Sequence, residues 1–153
     1  MENLEKQSVA LVIWDRSKKN VLIVRRPLDD ENLPGMWGFP AASKENSEED
    51  WEVVAHRAAL TKLGVKVRPI KCLGEDVVDR GLFILRLRDY EVEITDGSPK
   101  VPQNVKGVTQ YMEMKYTNSL DEMIKSAQAK SLCTRIFLKS IGVNYLTPSR
   151  FTI

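Results

Sequence analysis

The chain has 153 residues, 42% of them hydrophobic, which suits one domain over 1–153 that buries roughly 70% of its unfolded surface. Its formal charge is +2 and its pI about 8.5, with lysine and arginine spread along the chain rather than gathered in blocks, which argues against a dedicated nucleic-acid surface. Cys72 and Cys133 belong to no C-x-x-C pair, so neither a zinc knuckle nor a disulfide framework is indicated, and a reduced, cytoplasmic location is expected.

In chain order, the apolar run Val9 to Trp14 is bounded by charges. It is too short for a signal h-region or a membrane span and reads as a buried strand. Val21 to Arg25 is a second β-branched run, and DRSKKN between the two is a hairpin signal. RPLDDENLPGMWGFPAASKEN follows, rich in Pro and Gly, and is expected as a long ordered loop of the kind that usually carries function.

A helix is predicted from Ser47, as N-cap, to Leu63, with Asp50 three residues on, acids in the first turn and Gly64 just past the end. Trp51, Val54, Ala55 and Ala58 recur at i, i+3, i+4 and i+7 and should face a sheet. Val67 to Cys72 and Leu82 to Ile94 read as strands. In the second, Leu85 and Leu87 have the opposite parity to Tyr90, Val92 and Ile94, so a bulge or break near Arg88 and Asp89 is expected. Val108 to Tyr116 reads as a further strand, and helices are expected at about Ser119 to Ala129 and Ser131 to Ile141. This order is α+β, a mixed β-sheet sandwiched between helices.

Residues 8 to about 75 resemble a Nudix domain, whose signature is G-x5-E-x7-R-E-U-x-E-E-x-G-U, with U a bulky aliphatic residue. Setting its final Gly-U on Gly64 and Val65 puts its arginine on Arg57, its first glutamate on Glu49 and its first glycine on Ser43. The same register puts Ala58, Thr61 and Lys62 on the three remaining glutamates, so the box is degenerate. VLIVRR resembles the family's second strand, LPGMWGFPAAS its approach loop, and TQYMEMKYTNSLDEM its late strand. The resemblance implies hydrolysis of nucleoside diphosphates linked to another moiety, with Mg2+ or Mn2+ held by the box glutamates, and a substrate loop carrying Trp37 and Phe39.

Magnesium wants oxygen ligands in near-octahedral array. Ala58, Thr61 and Lys62 remove carboxylates and add a cation, so a divalent ion is expected only if carboxylates outside that face supply a site. Glu48, Glu52 and His56 form a row at helical spacing, but on the wrong side of the helix. Glu113 reads as outward-facing. Glu49 and the loop acids Asp29, Asp30 and Glu31 stay open as ligands, with a solvent role as the simpler assignment.

Lys62 has two readings. In one, which the helical count favours, it continues the packing stripe or lies on the surface. In the other its ammonium meets a phosphate directly, with Arg25 and Arg26 arriving from the second strand. Two functions follow: a divergent pyrophosphohydrolase acting on a nucleotide or nucleoside-diphosphate-linked compound, or a non-catalytic module binding a nucleotide, phosphate ester or protein partner on the same fold. The catalytic residue is not assignable from sequence, and a homodimer stays open. A serine or cysteine nucleophile enzyme is disfavoured, because His56 is the sole histidine and no G-x-S-x-G segment is present.

Overall fold

The computed structural model describes residues 4–146, so the ends of the domain expected over 1–153 lie outside the described residues. β1 (Glu5–Ile13) is buried from Ser8 onward on both faces, the mark of a strand with cover above and below. It is central in a four-stranded sheet of order β4-β1-β6-β5, antiparallel to β4 (Ala41–Ser43) and parallel to β6 (Ile84–Asp96), with β5 (Lys66–Asp79) at the edge.

β2 (Val21–Arg25) does not form the ladder of a hairpin with β1. A single bridge, Trp14 to Val21, joins them, and β2 crosses into a three-stranded sheet between β3 (Trp37–Gly38) and β7 (Glu113–Thr117). Both β3 and β4 lie within the stretch expected as plain loop. β7 starts later than the expected Val108, because residues 97–112 are taken up by a strap described below.

α1 (Trp51–Ala58) begins three residues after the expected start. Asp50, not Ser47, is the N-cap, accepting from the Glu52 amide at 3.1 Å. The residues before it form a turn of their own, the Glu48 amide donating to Asn46 Oδ1 and the Glu49 amide to the Asn46 carbonyl. The helix then widens into a π-helical turn, Ala59–Leu63, closed by Gly64 in the left-handed region at φ 72°. α2 (Asp121–Gln128) and α3 (Leu132–Ser140) follow β7.

The sheets are covered on both sides. Val9, Leu11, Ile13, Tyr90 and Val92 pack with Val54, Ala55 and Ala58 of α1, and the half-buried Trp51 flanks this core. Ala10, Val12, Ile23, Phe39 and Leu87 pack with Met123 of α2 and with Ile136 and Phe137 of α3. This layering corrects the expected fault in β6. Because both of its faces are covered, both parity sets are inside without a break, and β6 pairs one-to-one with β1 from Ile84 to Val92. The irregularities lie in β5, where the register shifts at Lys66/Val67, Pro69/Lys71 and Cys72/Gly74. Among the described residues, no helix is long and apolar enough to cross a membrane.

Candidate functional site

Arg57 turns back from α1 onto the preceding loop. Its Nη2 donates to the Ser43 carbonyl at 3.0 Å and to Glu49 Oε1 at 2.7 Å, and its Nε lies 3.7 Å from Glu45 Oε1. Ser43, Glu49 and Arg57 are thus one cluster. The Glu45 amide first, and then Arg57, hold the Glu49 carboxyl below its ordinary pKa. Val65 is buried just beyond Gly64, and a Cβ added at Gly64 would lie 2.5 Å from Gln103 Oε1.

The three residues that the sequence register sets on box glutamates are engaged otherwise. Ala58 is fully buried. Thr61 Oγ1 donates to the Arg57 carbonyl at 2.8 Å. Lys62 is only 7% exposed, its Nζ donating to the Thr109 carbonyl and lying 5.1 Å from the Tyr111 ring centroid. It is therefore not a surface residue.

Residues 97–112 form the strap that receives it. The Lys100 amide donates to the Leu63 carbonyl at 3.1 Å, and Gln110 Nε2 donates to the Thr61 carbonyl at 3.2 Å. Gln110 Oε1 in turn accepts from the Gln103 amide at 2.8 Å. A π-helical turn leaves carbonyls to be satisfied, and the strap supplies donors to two of them. The pairing of two glutamines across this segment did not show in the sequence.

Lys62 opens on a cleft of about 750 Å3, lined also by Lys6, Arg26, Asp30, Ser43 and Tyr111. Arg26 Nη1 lies 3.5 Å from Asp30 Oδ1. Asp30 Oδ2 is occupied by the Leu33 amide at 2.8 Å, so this loop acid serves its own turn and its neighbouring arginine. Burial lowers Lys62 to a pKa of about 8; the like charge of Arg26 acts the same way, and Asp30 opposes them. Burial also pulls on the Arg26 guanidinium, but Tyr111, Cys133 and Asp30 more than offset it, so the net shift is upward. Arg80, missed in the sequence, donates to the Lys130 carbonyl at 3.1 Å, and burial first, then Arg26, lower its pKa.

Three sequence expectations are relocated. Arg25 points to the opposite side of β2 from Arg26, as alternation demands. It donates to the Gly35 carbonyl at 3.0 Å and pairs with Glu113 at 2.8 Å, away from the cleft wall. Phe39 is 1% exposed and packs edge-on to Phe137, ring centroids 5.0 Å apart. Trp37 lies under Lys115 Nζ at 4.6 Å, and its carbonyl accepts from Ser126 Oγ. These aromatics anchor the approach loop to α2 and α3 rather than line the cleft. His56, Glu48 and Glu52 are exposed.

No family model matches the chain, and no curated protein matches it. Solved structures do. The E. coli ORF135 protein aligns over 96% of this chain and 96% of its own, with a TM-score of 0.67 and 15% identity. A MutT protein from Methanosarcina mazei Go1 aligns over 92% of this chain and 96% of its own, with a TM-score of 0.67 and 17% identity. A NUDIX hydrolase from Nitrosomonas europaea covers 90% of this chain and 88% of its own, with a TM-score of 0.65 and 16% identity. The chain has the Nudix hydrolase fold.

That fold implies a divalent metal, and the donor set can be tested against it. At the box positions stand a methyl group, a hydroxyl already donated to a carbonyl, and an ammonium. Asp29, Asp30 and Glu31 line the same cleft, yet among the described residues no group of three acids, histidines or cysteines is gathered to hold an ion. The residues of this Nudix fold do not fit Mg2+ or Mn2+.

Proposed function

We propose that this protein binds a phosphate-bearing small molecule of the nucleotide class in the Lys62–Arg26 cleft, without a metal ion, as a non-catalytic member of the Nudix fold. The observation that carries the reading is Lys62. Where a box glutamate would bring negative charge needing a metal, this chain has a buried cation beside a second one, Arg26, with Lys6 also on the wall. A lysine provides three donors and Thr109 takes one, which leaves capacity for phosphate oxygens. Each charge-assisted contact to such an oxygen contributes about 1.5–3 kcal/mol. The nucleotide class rests on likeness of fold, whereas the site itself supports a phosphate-bearing ligand.

Calorimetry with ADP-ribose, nucleoside diphosphates and inorganic pyrophosphate in EDTA tests this. Binding should occur without metal and weaken at least about tenfold in Lys62→Glu, the loss of one such contact. Unchanged affinity in that variant would leave Lys62 a purely structural residue. Rapid hydrolysis once Mg2+ is added would establish the pyrophosphohydrolase instead, with its metal carried by carboxylates such as Asp29, Asp30 and Glu31.

A further inference from the structure

Lys62 has chemistry that holding a phosphate does not use. Its Nζ is bounded by the Thr109 carbonyl, the Tyr111 ring and the Arg26 side of the cleft, with Asp30 as the carboxylate that acts on it. Charged groups line its cleft from the β2 end and the following loop, where Arg26, Asp29, Asp30 and Glu31 lie, and from β1, where Lys6 lies, while the strap offers a neutral carbonyl and an aromatic face. This is a dry, partly enclosed amine that still opens onto a cleft of about 750 Å3. With its pKa at about 8, roughly a quarter of Lys62 is free amine at pH 7.5, against about one part in a thousand for an ordinary lysine. The nucleophilic form is therefore enriched about 200-fold over that of a solvated lysine.

The second element is the seat beside it. Arg26 presents a planar guanidinium on the same wall, tied to Asp30 at 3.5 Å rather than by a close bidentate pair, so it keeps N–H donors for an anion. We propose that Lys62 forms an imine with a small aldehyde that carries a phosphate, the phosphate resting on Arg26. This deepens the anion-binding reading above and rests on it. The neutral amine's lone pair adds to the carbonyl carbon. The carbonyl oxygen then leaves as water with the two amine hydrogens, and a C=N bond replaces the C=O bond. No electrons are transferred and no co-reactant is needed. The reaction is reversible, so the adduct is a covalent hold that hydrolysis releases.

The test uses the whole chain in EDTA with pyridoxal 5′-phosphate as probe and pyridoxal as its phosphate-free control. Imines are fixed by borohydride and located by peptide mass mapping. The expected result is reduced adduct concentrated on Lys62, forming about tenfold faster with the phosphate-bearing aldehyde than without it. Its rate should rise with pH through a midpoint near 8. Arg26→Ala should lower the rate to the pyridoxal level, while Arg26→Lys, which keeps a cation, should retain part of the advantage, both variants being checked for native circular dichroism. Label spread evenly over exposed lysines such as Lys18 and Lys106, or equal labelling by the two aldehydes, overturns the proposal. Calorimetry with inorganic pyrophosphate separates the two readings. Pyrophosphate binding without a Lys62 adduct leaves the anion site standing and removes the imine. Absence of both removes both. An adduct without pyrophosphate binding removes the phosphate seat, and the proposal with it.

Discussion

Lys62 Nζ donates to the carbonyl of Thr109, one of the bonds, with those from the Lys100 amide and Gln110 Nε2, that tie the π-helical end of the helix to the strap. The same bond, with the Tyr111 ring beside it, explains how a lysine can be 7% exposed in this fold. A buried ammonium needs a partner, and a carbonyl with an aromatic face is a partial one.

The pH dependence of stability follows from that partial compensation. Lys62 is lowered to about 8 in the folded chain from 10.5, so between those two values the unfolded chain binds more protons than the folded one. Stability contributed through Lys62 therefore rises as pH goes up through that window, and below it the charged form weighs against folding. Lys62→Met, which keeps the stem and removes the charge, should lack this rise when urea unfolding is followed from pH 7 to pH 10.5. A variant whose stability tracks that of the wild type across the window would show that Lys62 is not the titrating group.

Gly64 is held by two separate constraints. Its φ of 72° is one that a side chain resists, and a Cβ there would meet Gln103 Oε1 at 2.5 Å. Gly64→Ala should cost about 1–3 kcal/mol by denaturant midpoint. Adding Gln103→Ala removes the clash but not the dihedral strain, so the double variant should recover part of the loss and no more. Full recovery would assign the entire cost to the glutamine.

The helix, its apolar stripe and Gly64 were legible because each is a local pattern: period 3.6, small residues against a sheet, a glycine where the chain turns left-handed. The layering of β6 was not, since parity of Leu87 against Tyr90 and Val92 reads as a fault unless both faces of the sheet are known to be covered. The direction of Arg25 against Arg26 was in principle available from alternation along β2, but which of them faces the cleft depends on where β7 and its Glu113 lie. Phe39 and Trp37 were placed on a substrate loop by resemblance; their inward packing depends on α2 and α3, long-range partners that a local segment does not specify.

Arg57 joins the helix to its approach loop through one nitrogen that serves both the Ser43 carbonyl and Glu49. Arg57→Ala should therefore destabilise by about 1–3 kcal/mol and loosen the loop, seen as faster amide exchange at residues 43–50. Arg57→Lys keeps the charge yet loses the planar fork, and should restore only a minority of the loss. If amide exchange in the loop is unchanged in the alanine variant, the cluster does not organise that segment.

Asp89 carries a pH dependence of the opposite sign to that of Lys62. It is fully buried on the face of β6 shared with Leu87, its two carboxylate oxygens have no hydrogen-bond partner among the described residues, and burial raises its pKa well above 3.8. Cys133 is also raised, by burial and then by Asp89, and a thiol, neutral or anionic, brings no positive charge to compensate. The folded chain thus holds a proton on Asp89 that the unfolded chain releases above about pH 4. Stability linked to this group is fully present below that pH and is lost as pH rises toward the folded pKa. Asp89→Asn cannot ionise. Its stability relative to the wild type should therefore improve as pH rises above about 4, whatever fixed cost the buried amide carries. A constant difference between the two across that range would mean that the carboxyl finds a compensating partner and stays ionised inside the fold.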